Sequence, residues 1–343
     1  MTFIEWITEM PPISSEWKSV VSSTIKLSRN IKDIPFHKNV SIQEQRTINK
    51  LVDESISLWN KENDNTFLVC PLTTLTNGDI QALREYGIDI PNIEHRESQK
   101  LYLSKDRLLV ILTNGIEHIT LWGISFEADI TQIWDKLSRL DTWLAQKISF
   151  AFDNEFGYLT ASPLIAGTGM EIRATVFLPG ITNVNQMDNL SGKLARSGYK
   201  ISKLRNHFYF IENSFSMGLK EETFCNRLEE VQKNIEFIEE KAWNSFYDIN
   251  QQQIKDKIWR SLGIFSYARS LNYEETLECI AWLYIGMRFN ILPIKDRLLF
   301  YKLLRLAGPF YVEKKIHKEE MSENDINTWR AVLIRDVIKE MSL

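Results

Sequence analysis

The stretch that decides the fold is Phe150–Pro179, FAFDNEFGYLTASPLIAGTGMEIRATVFLP. A Gly-Thr-Gly turn at Gly167–Gly169 precedes a run over 172–178 whose β-branched and aromatic residues predict a strand. A Gly-Thr-Gly turn can cradle a phosphate, although such a sequence is more often an ordinary turn. Arg173, inside the predicted strand, is equally consistent with a phosphate ligand and with a structural ion pair.

Composition bounds the class of protein. The 343 residues are 44% hydrophobic and carry a formal net charge of −4, which suits about two globular domains and disfavours nucleic-acid binding. No run of 18 apolar residues is present, so no membrane span is expected, and the N-terminus lacks the basic flank of a signal peptide. The scattered Cys70, Cys225 and Cys279 predict a reduced, cytoplasmic protein. The five histidines show no metal-ligand spacing, so no metal site is expected.

Apolar periodicity divides the chain at a polar segment, Asp248–Gln253. Before it, strands predicted within 101–112 and at 207–211 accompany amphipathic helices, one begun by a capping box of Ser41 and Glu44 and another over 224–238. After it, helices are predicted over 254–269, 273–290, 293–306 and 322–341, with Pro293 at a first helical position and Gly308–Pro309 as a stop. The sequence therefore predicts an α+β domain over 1–248 and an all-helical C-terminal domain over 249–343.

Several segments resemble the ATP:guanido phosphotransferases, and among them the bacterial protein-arginine kinases. Where that family has Gly-Tyr-Leu-Thr, Cys-Pro, Gly-Thr-Gly and Arg-Ala-Ser-Val, this chain has Gly157–Thr160, Ser162-Pro163, Gly167–Gly169 and Arg173–Val176. Three further segments match in order: Val21–Phe36, Thr113–Thr120 and Trp259–Arg269. The resemblance covers nearly the whole chain. It implies an antiparallel sheet flanked by helices, followed by a helical C-terminal domain.

Phosphoryl transfer from ATP to a guanidinium requires a carboxylate, because the protonated guanidinium is not nucleophilic. The resemblance implies adjacent glutamates at the positions of Gly115 and Ile116, and a low-pKa cysteine at Ser162. Glu117 follows in the family's aspartate position. If this segment is extended, the Glu117 side chain points away from the site, because strand residues alternate faces. The catalytic positions are therefore predicted to be degenerate, with Glu117 as a candidate substitute.

The resemblance also places five arginines around the ATP phosphates. Here the corresponding residues are Thr24, Lys26, Thr120, Arg173 and Arg205. The family's Gly-Glu-Gly-Ser-Glu loop after the fifth arginine is missing, and Gly87 replaces a histidine that flanks the adenine. A charge-assisted hydrogen bond is worth about 1.5–3 kcal/mol, so the outright loss of two arginines predicts an ATP affinity lower by roughly a hundred- to ten-thousandfold. No cofactor is expected beyond weakly bound Mg-ATP.

Near the C-terminus, Asn324-Asp325 followed by Arg330-Ala331 partly resembles the family's phosphoarginine-receptor motif, Arg-Asp-x-x-Arg-Ala, with a stretched spacing. In that interpretation Asp325 clamps a guanidinium and Arg330 meets the phosphate. In the simpler interpretation Ser322 caps a helix, Asp325 lies in its first turn and Arg330 is solvated. The simpler interpretation is favoured, and contact with a protein partner is the role predicted for the helical domain.

These substitutions predict a catalytically impaired homologue, a pseudokinase that acts as an adaptor or regulator linked to Clp-protease quality control. By analogy with the family, the expected partners are a zinc-binding activator and a Clp-type ATPase, and the protein is expected to form a homodimer. An alternative is an active protein-arginine phosphotransferase with a displaced carboxylate at Glu117, Glu171 or Glu212. A third is a scaffold that binds neither nucleotide nor phosphoarginine.

Overall fold

The computed structural model describes residues 1–13, 16–36, 39–91, 96–126, 130–294 and 296–340. In these ranges the strands are β1 Val20–Arg29, β2 Phe67–Pro71, β3 Lys100–Ser104, β4 Leu109–Thr113, β5 Ile119–Ser125, β6 Phe152–Asp153, β7 Gly157–Tyr158, β8 Met170–Phe177, β9 Tyr199–Arg205 and β10 Phe208–Asn213. The α-helices are α1 Phe3–Thr8, α2 Ile42–Glu62, α3 Asn77–Tyr86, α4 Ile130–Ala145, α5 Pro179–Asn183, α6 Met187–Arg196, α7 Glu221–Tyr267, α8 Tyr273–Arg288, α9 Arg297–Ala307, α10 Pro309–Lys315 and α11 Glu323–Glu340.

Eight strands form one antiparallel sheet in the order β2-β3-β4-β5-β1-β8-β10-β9, and β6 pairs with β7 as a separate hairpin. One face of the sheet packs against α2, α4 and the first half of α7. Gly123 of β5 permits this approach on α4, because a side chain there would meet Ile133 and Leu137. The opposite face packs against α1 and α3 along β2–β5. The predicted α+β fold, an antiparallel sheet flanked by helices, is confirmed.

The C-terminal third of the chain is helical, as predicted. α8, α9 and α11 surround a second core that also takes in Phe177 and Phe208 at the ends of β8 and β10. Trp243 of α7 stacks on Phe289 with ring centroids 4.3 Å apart. The helical region is therefore continuous with one end of the sheet.

Local signals fixed some helix boundaries and missed others. The Ser41 capping box begins α2, as predicted. The prediction that a helix begins at Pro293 is wrong. The helix α9 begins at Arg297, because the Asp296 side chain accepts the Leu298 N–H and caps its start. Gly308 ends α9, yet Pro309 then opens α10, where its missing N–H costs nothing.

The helices predicted on either side of Asp248–Gln253 meet within α7 at a kink, where Asn250 has non-helical torsions (φ −119°, ψ 17°). The domain boundary at 248/249 stays a prediction. The end of the C-terminal domain, Met341–Leu343, lies outside the described residues. Within the described ranges, no helix combines the length and apolarity that a membrane crossing requires.

The contact between α5 and α7 gives a test of the packing. Glu239 of α7 accepts the N–H groups of Gly180 (2.6 Å) and Ile181 (2.9 Å), and a Cβ on Gly180 would collide with the backbone at Glu239 and Trp243. We expect Gly180→Ala to lower the free energy of unfolding by about 1–3 kcal/mol through overpacking. Urea unfolding measures this change.

The matched control is Gly192→Ala on α6, where a Cβ meets nothing within 4 Å. Alanine propensity should raise stability there by roughly 0.5–1 kcal/mol. Equal effects of the two substitutions would contradict the close α5–α7 contact.

Candidate functional site

Strand register gathers most of the predicted phosphate positions on one face of the sheet. Thr24 of β1 lies opposite Arg173 of β8, and Lys26 lies opposite Glu171. On the other side of β1, Thr120 of β5 pairs with Ser28. Because residues two apart share a face, Thr24, Lys26, Thr120 and Arg173 all lie on the same side of the sheet. The sequence spacing alone does not reveal this.

A cavity of about 370 Å³ opens on this face, and we call it the sheet cavity. Seven of the candidate positions line it: Thr24, Lys26, Gly87, Ser162, Glu171, Arg173 and Glu212. Gly115, Ile116, Glu117, Thr120 and Arg205 are not among its lining residues. Thr120 is buried, and Arg205 faces a second cavity, of about 310 Å³, between the sheet and the helical region.

The sheet cavity carries no excess charge. Its lining holds three cations, Lys26, Arg173 and Lys200, and three carboxylates, Asp89, Glu171 and Glu212. Lys26 Nζ lies 2.6 Å from Glu171, and Glu212 lies 2.7 Å from Arg173 and 3.4 Å from Lys200. Burial raises the pKa of Glu212, but Arg173 and Lys200 outweigh burial and hold that pKa below its usual value. Both carboxylates are thereby engaged as counter-ions, and Glu212 is made a weaker base.

Glu117 is held in the architecture of the neighbouring loops. It is 3% exposed, and its carboxylate accepts the Ala161 N–H at 2.9 Å and an Asn30 side-chain N–H at 2.5 Å. The extended geometry assumed for this segment is wrong, because residues 114–118 form a turn in which the Asn114 N–H donates to the His118 carbonyl. Gly115 and Ile116 lie at this turn, and Ile116 is 43% exposed.

His118 has a structural environment as well. Its Nδ1 accepts the Ile31 N–H at 2.9 Å, and Nε2 lies 2.8 Å from the Pro35 carbonyl, which fixes the neutral tautomer protonated at Nε2. Burial lowers the His118 pKa, in keeping with that neutral form. His118 therefore serves as a fixed link between β5 and the segment after β1.

The Gly-Thr-Gly segment is a turn whose amides are used within the protein. The Gly167 N–H donates to Tyr158, and the Thr168 N–H donates to Ser216. A Cβ on Gly157 would lie 2.5 Å from the Gly167 carbonyl oxygen, and both glycines have positive φ. These glycines are needed for close backbone approach. The ordinary-turn interpretation fits this hydrogen bonding better than a phosphate cradle does.

Arg205 lies at a tight β-hairpin. Arg205 and Phe208 are paired across β9 and β10, so only Asn206 and His207 form the turn, with Asn206 at φ 46°. The Arg205 guanidinium forms an ion pair with Glu274 of α8 and lies 4.6 Å above the Tyr273 ring. Arg205 is therefore directed toward the helical region.

Arg330 is a buried side chain of α11. It is 1% exposed and donates to the carbonyls of Leu306 (3.1 Å) and Leu271 (2.7 Å), so the solvated position expected for it is wrong. Its side-chain contact on α11 is Asn327 Oδ1, at 2.6 Å, whereas Asp325 bonds to Ser322 at the helix start. If the motif Arg-Asp-x-x-Arg-Ala is aligned on Arg330 without an insertion, its aspartate position is Asn327. The described geometry thus does not bring Asp325 and Arg330 together as a receptor site.

The neutralising carboxylates are the main feature that sequence reasoning missed. The sequence suggests Glu171 and Glu212 only as substitute bases, and it gives no signal for Lys200. The alternation Glu171-x-Arg173 signals a shared face, but the partner strands have to be known before the charges can be matched. Among the described residues, no group of three His, Cys, Asp or Glu side chains could hold a metal ion.

Comparisons with known proteins agree with this architecture. Residues 22–242 match the family described as ATP:guanido phosphotransferase, C-terminal catalytic domain, and residues 251–343 match the protein-arginine kinase McsB C-terminal domain. A protein-arginine kinase of Clostridium acetobutylicum is 26% identical over 327 residues, covering 93% of this chain and 96% of the relative. One of Caldanaerobacter subterraneus is 27% identical over 283 residues, covering 80% and 84%.

Solved structures show the same fold at lower identity. The substrate-free duplicated taurocyamine kinase from Schistosoma mansoni has a TM-score of 0.58 at 16% identity, over 68% of this chain and 34% of that chain. Lombricine kinase has a TM-score of 0.59 at 13% identity, over 71% and 76%. At such identities the likeness concerns the fold alone.

Proposed function

The chain belongs to the ATP:guanido phosphotransferase family, and we propose that it is a member that has lost phosphoryl transfer and acts through protein contacts. The observation that carries this proposal is the neutral sheet cavity. Polyanion binding and stabilisation of a phosphoryl transition state require an excess of directed positive charge. Here three cations face three carboxylates, and both Lys26 and Arg173 have a carboxylate partner from a neighbouring strand.

The missing base supports the same proposal. A guanidinium substrate requires a carboxylate beside it that is free to accept a proton. Gly115 and Ile116 supply none, and the Glu117 carboxylate is occupied by Ala161 and Asn30. Glu171 and Glu212, the other candidates, are paired with Lys26 and Arg173. Mg-ATP would thus meet neither the cationic cradle nor the base that the reaction needs.

We expect arginine phosphorylation at background level when the protein is incubated with Mg-ATP and an arginine-rich protein. Each described carboxylate at the sheet cavity has a cationic partner, including Asp89, which pairs with Arg84 across 3.4 Å. Mass spectrometry under neutral conditions detects the acid-labile phosphoarginine. Strong labelling that disappears in a folded Glu117→Gln or Glu212→Gln variant would instead establish an active enzyme with a displaced base.

ATP binding gives a separate test, in which one carboxylate of the sheet cavity is removed by substitution. Glu212→Gln removes the counter-ion of Arg173 and Lys200, so we expect ATP affinity to rise by roughly tenfold, the equivalent of one charge-assisted hydrogen bond. Calorimetric titration compares this variant with Glu229→Gln, which removes a similar ion pair with Lys233 on α7. A low-micromolar dissociation constant of ATP for the unaltered protein would contradict the proposal that the carboxylates of the sheet cavity weaken ATP binding. Equal ATP affinities of the two variants would contradict it as well.

We place the protein contact on the helical region. Trp259 and Tyr267 of α7 are 51% and 81% exposed, and large aromatic side chains contribute strongly to protein interfaces. The zinc-binding activator and the Clp-type ATPase suggested by the family are the first partners to test. Because Trp243, before the kink of α7, packs in the core of the helical region, point substitutions test the contact without opening that core.

Partner recovery from native lysate should fall by roughly thirtyfold or more in Trp259→Ser/Tyr267→Ser, the effect of losing one interface hot spot. The matched control is Phe237→Ser, because Phe237 is 71% exposed on the same helix before Asn250. Quantitative mass spectrometry after affinity capture measures the recovery. Loss of the partner only in Phe237→Ser would move the contact to the sheet domain.

A further inference from the structure

The second cavity, about 310 Å³ between the sheet and the helical region, has a lining unlike that of the sheet cavity, and we call it the inter-region cavity. Seven of its lining residues are aromatic, among them Phe208 and Phe210 from β10, Tyr273 from α8 and Tyr301 from α9. Tyr273 and Leu204 are 37% and 43% exposed, so the cavity opens to solvent beside them. The volume lies at the lower end of the range for ligand pockets, which suits one or two rings.

The lining of the inter-region cavity contains more cations than carboxylates. It holds four arginines, Arg84, Arg173, Arg205 and Arg305, and one carboxylate, Glu85, and three of the arginines pair with carboxylates outside this lining. Arg84 and Arg205 pair outward with Asp89 and Glu274, whose side chains are 83% and 74% exposed. Such surface ion pairs contribute little, so a ligand anion can replace the carboxylate at low cost.

Arg305 provides an independent reason to expect an anion. Its guanidinium donates to the carbonyls of Ile7 and Glu9, and it lies 4.9 Å from the Tyr86 ring and 4.3 Å from the Tyr311 ring. Within the described part of the chain it forms no direct ion pair with a carboxylate, although Glu85 of the same lining acts on it electrostatically. A half-buried cation whose partners are carbonyls and ring faces gives this side of the cavity a positive potential.

We propose that the inter-region cavity binds a flat aromatic anion, with one or two rings between the tyrosine and phenylalanine side chains and a single carboxylate or sulfonate against Arg205 and Arg305. The inference rests on the proposed function, because Thr24, Gly87 and Arg173 border both cavities and ATP is not the ligand in that proposal. A triphosphate would have to extend into the sheet cavity, where Glu171 and Glu212 face it. A single acid group has no such need.

Glu85 makes this binding depend on pH. Its carboxylate accepts the N–H groups of Phe310 (3.1 Å) and Tyr311 (2.9 Å) of α10, and desolvation of that carboxylate against α10 raises its pKa to about 7, although the residue as a whole is exposed. The other groups that act on it are Arg305 of α9, Arg330 of α11 and Tyr273 of α8. The arginines stay charged and Tyr273, whose pKa burial raises, stays neutral near pH 7. Deprotonation of Glu85 therefore adds a negative charge that repels the ligand, and binding weakens as pH rises through about 7.

The probe is 8-anilinonaphthalene-1-sulfonate, titrated into the full-length protein at pH 6 and pH 8 and followed by fluorescence and calorimetry. We expect one saturable site, bound more tightly at pH 6. Arg205→Glu should weaken it by roughly tenfold or more, the loss of one charge-assisted contact. Glu85→Gln should remove the difference between the two pH values.

The matched control is Arg139→Glu, an exposed position on α4, which packs on the opposite face of the sheet. It should bind the probe like the unaltered protein, and thermal melting verifies that each variant is folded. If ATP does not bind, two outcomes would overturn this inference and leave the proposed function standing. One is that Arg205→Glu binds the probe as tightly as the unaltered protein, and the other is a fluorescence signal that does not saturate. Displacement of the probe by micromolar ATP would identify a nucleotide site and overturn the proposed function with it.

Discussion

The buried guanidinium of Arg29 is the constraint on which the rest of the site depends. It is fully shielded from solvent, lies in a two-point ion pair with Asp141 (3.0 and 2.8 Å) and donates to the Thr168 carbonyl at 2.7 Å. The Tyr158 ring covers it at 3.6 Å. Because a buried charge is strongly destabilising unless every donor is satisfied, the segment from Tyr158 to Thr168 must close onto the end of β1. That closure gives the sheet cavity its wall.

The segments that carry the family resemblance therefore serve mainly the architecture in this chain. Asn30 joins the 114–118 turn to the loop after β7 through Glu117, the His118 N–H and the Leu159 carbonyl. Glu117 ties the same turn to Ala161. The residues that would do chemistry occupy neighbouring positions on the same elements. The hydrogen-bonded framework around Asn30 and Glu117 can thus persist when the side chains at the reactive positions differ, since the framework side chains and the reactive side chains contact different neighbours.

The sequence predicted what is local and missed what depends on strand pairing. The β3–β4 hairpin, the Ser41 cap and the helical C-terminal region follow from periodicity and short-range hydrogen bonds. The pairing of Lys26 with Glu171 depends on the β1–β8 register, which joins residues 145 positions apart. The burial of Arg330 is missed for a related reason. In sequence Arg330 resembles an exposed residue of a polar helix, but in the fold it donates hydrogen bonds to two buried carbonyls that are distant in sequence. Which charged side chains pair across a fold depends on tertiary structure, and sequence periodicity does not report it.

The two-residue turn between β9 and β10 limits the kinds of change that this hairpin can accept. His207, at the turn, lies edge-on to Phe177 and Trp282, with ring centroids 5.9 and 6.3 Å away, so the hairpin tip is packed between the sheet and α8. An inserted residue would have to separate these rings, whereas a substitution at an exposed position of β9 changes only the surface. The hairpin can therefore vary in its side chains more readily than in its length.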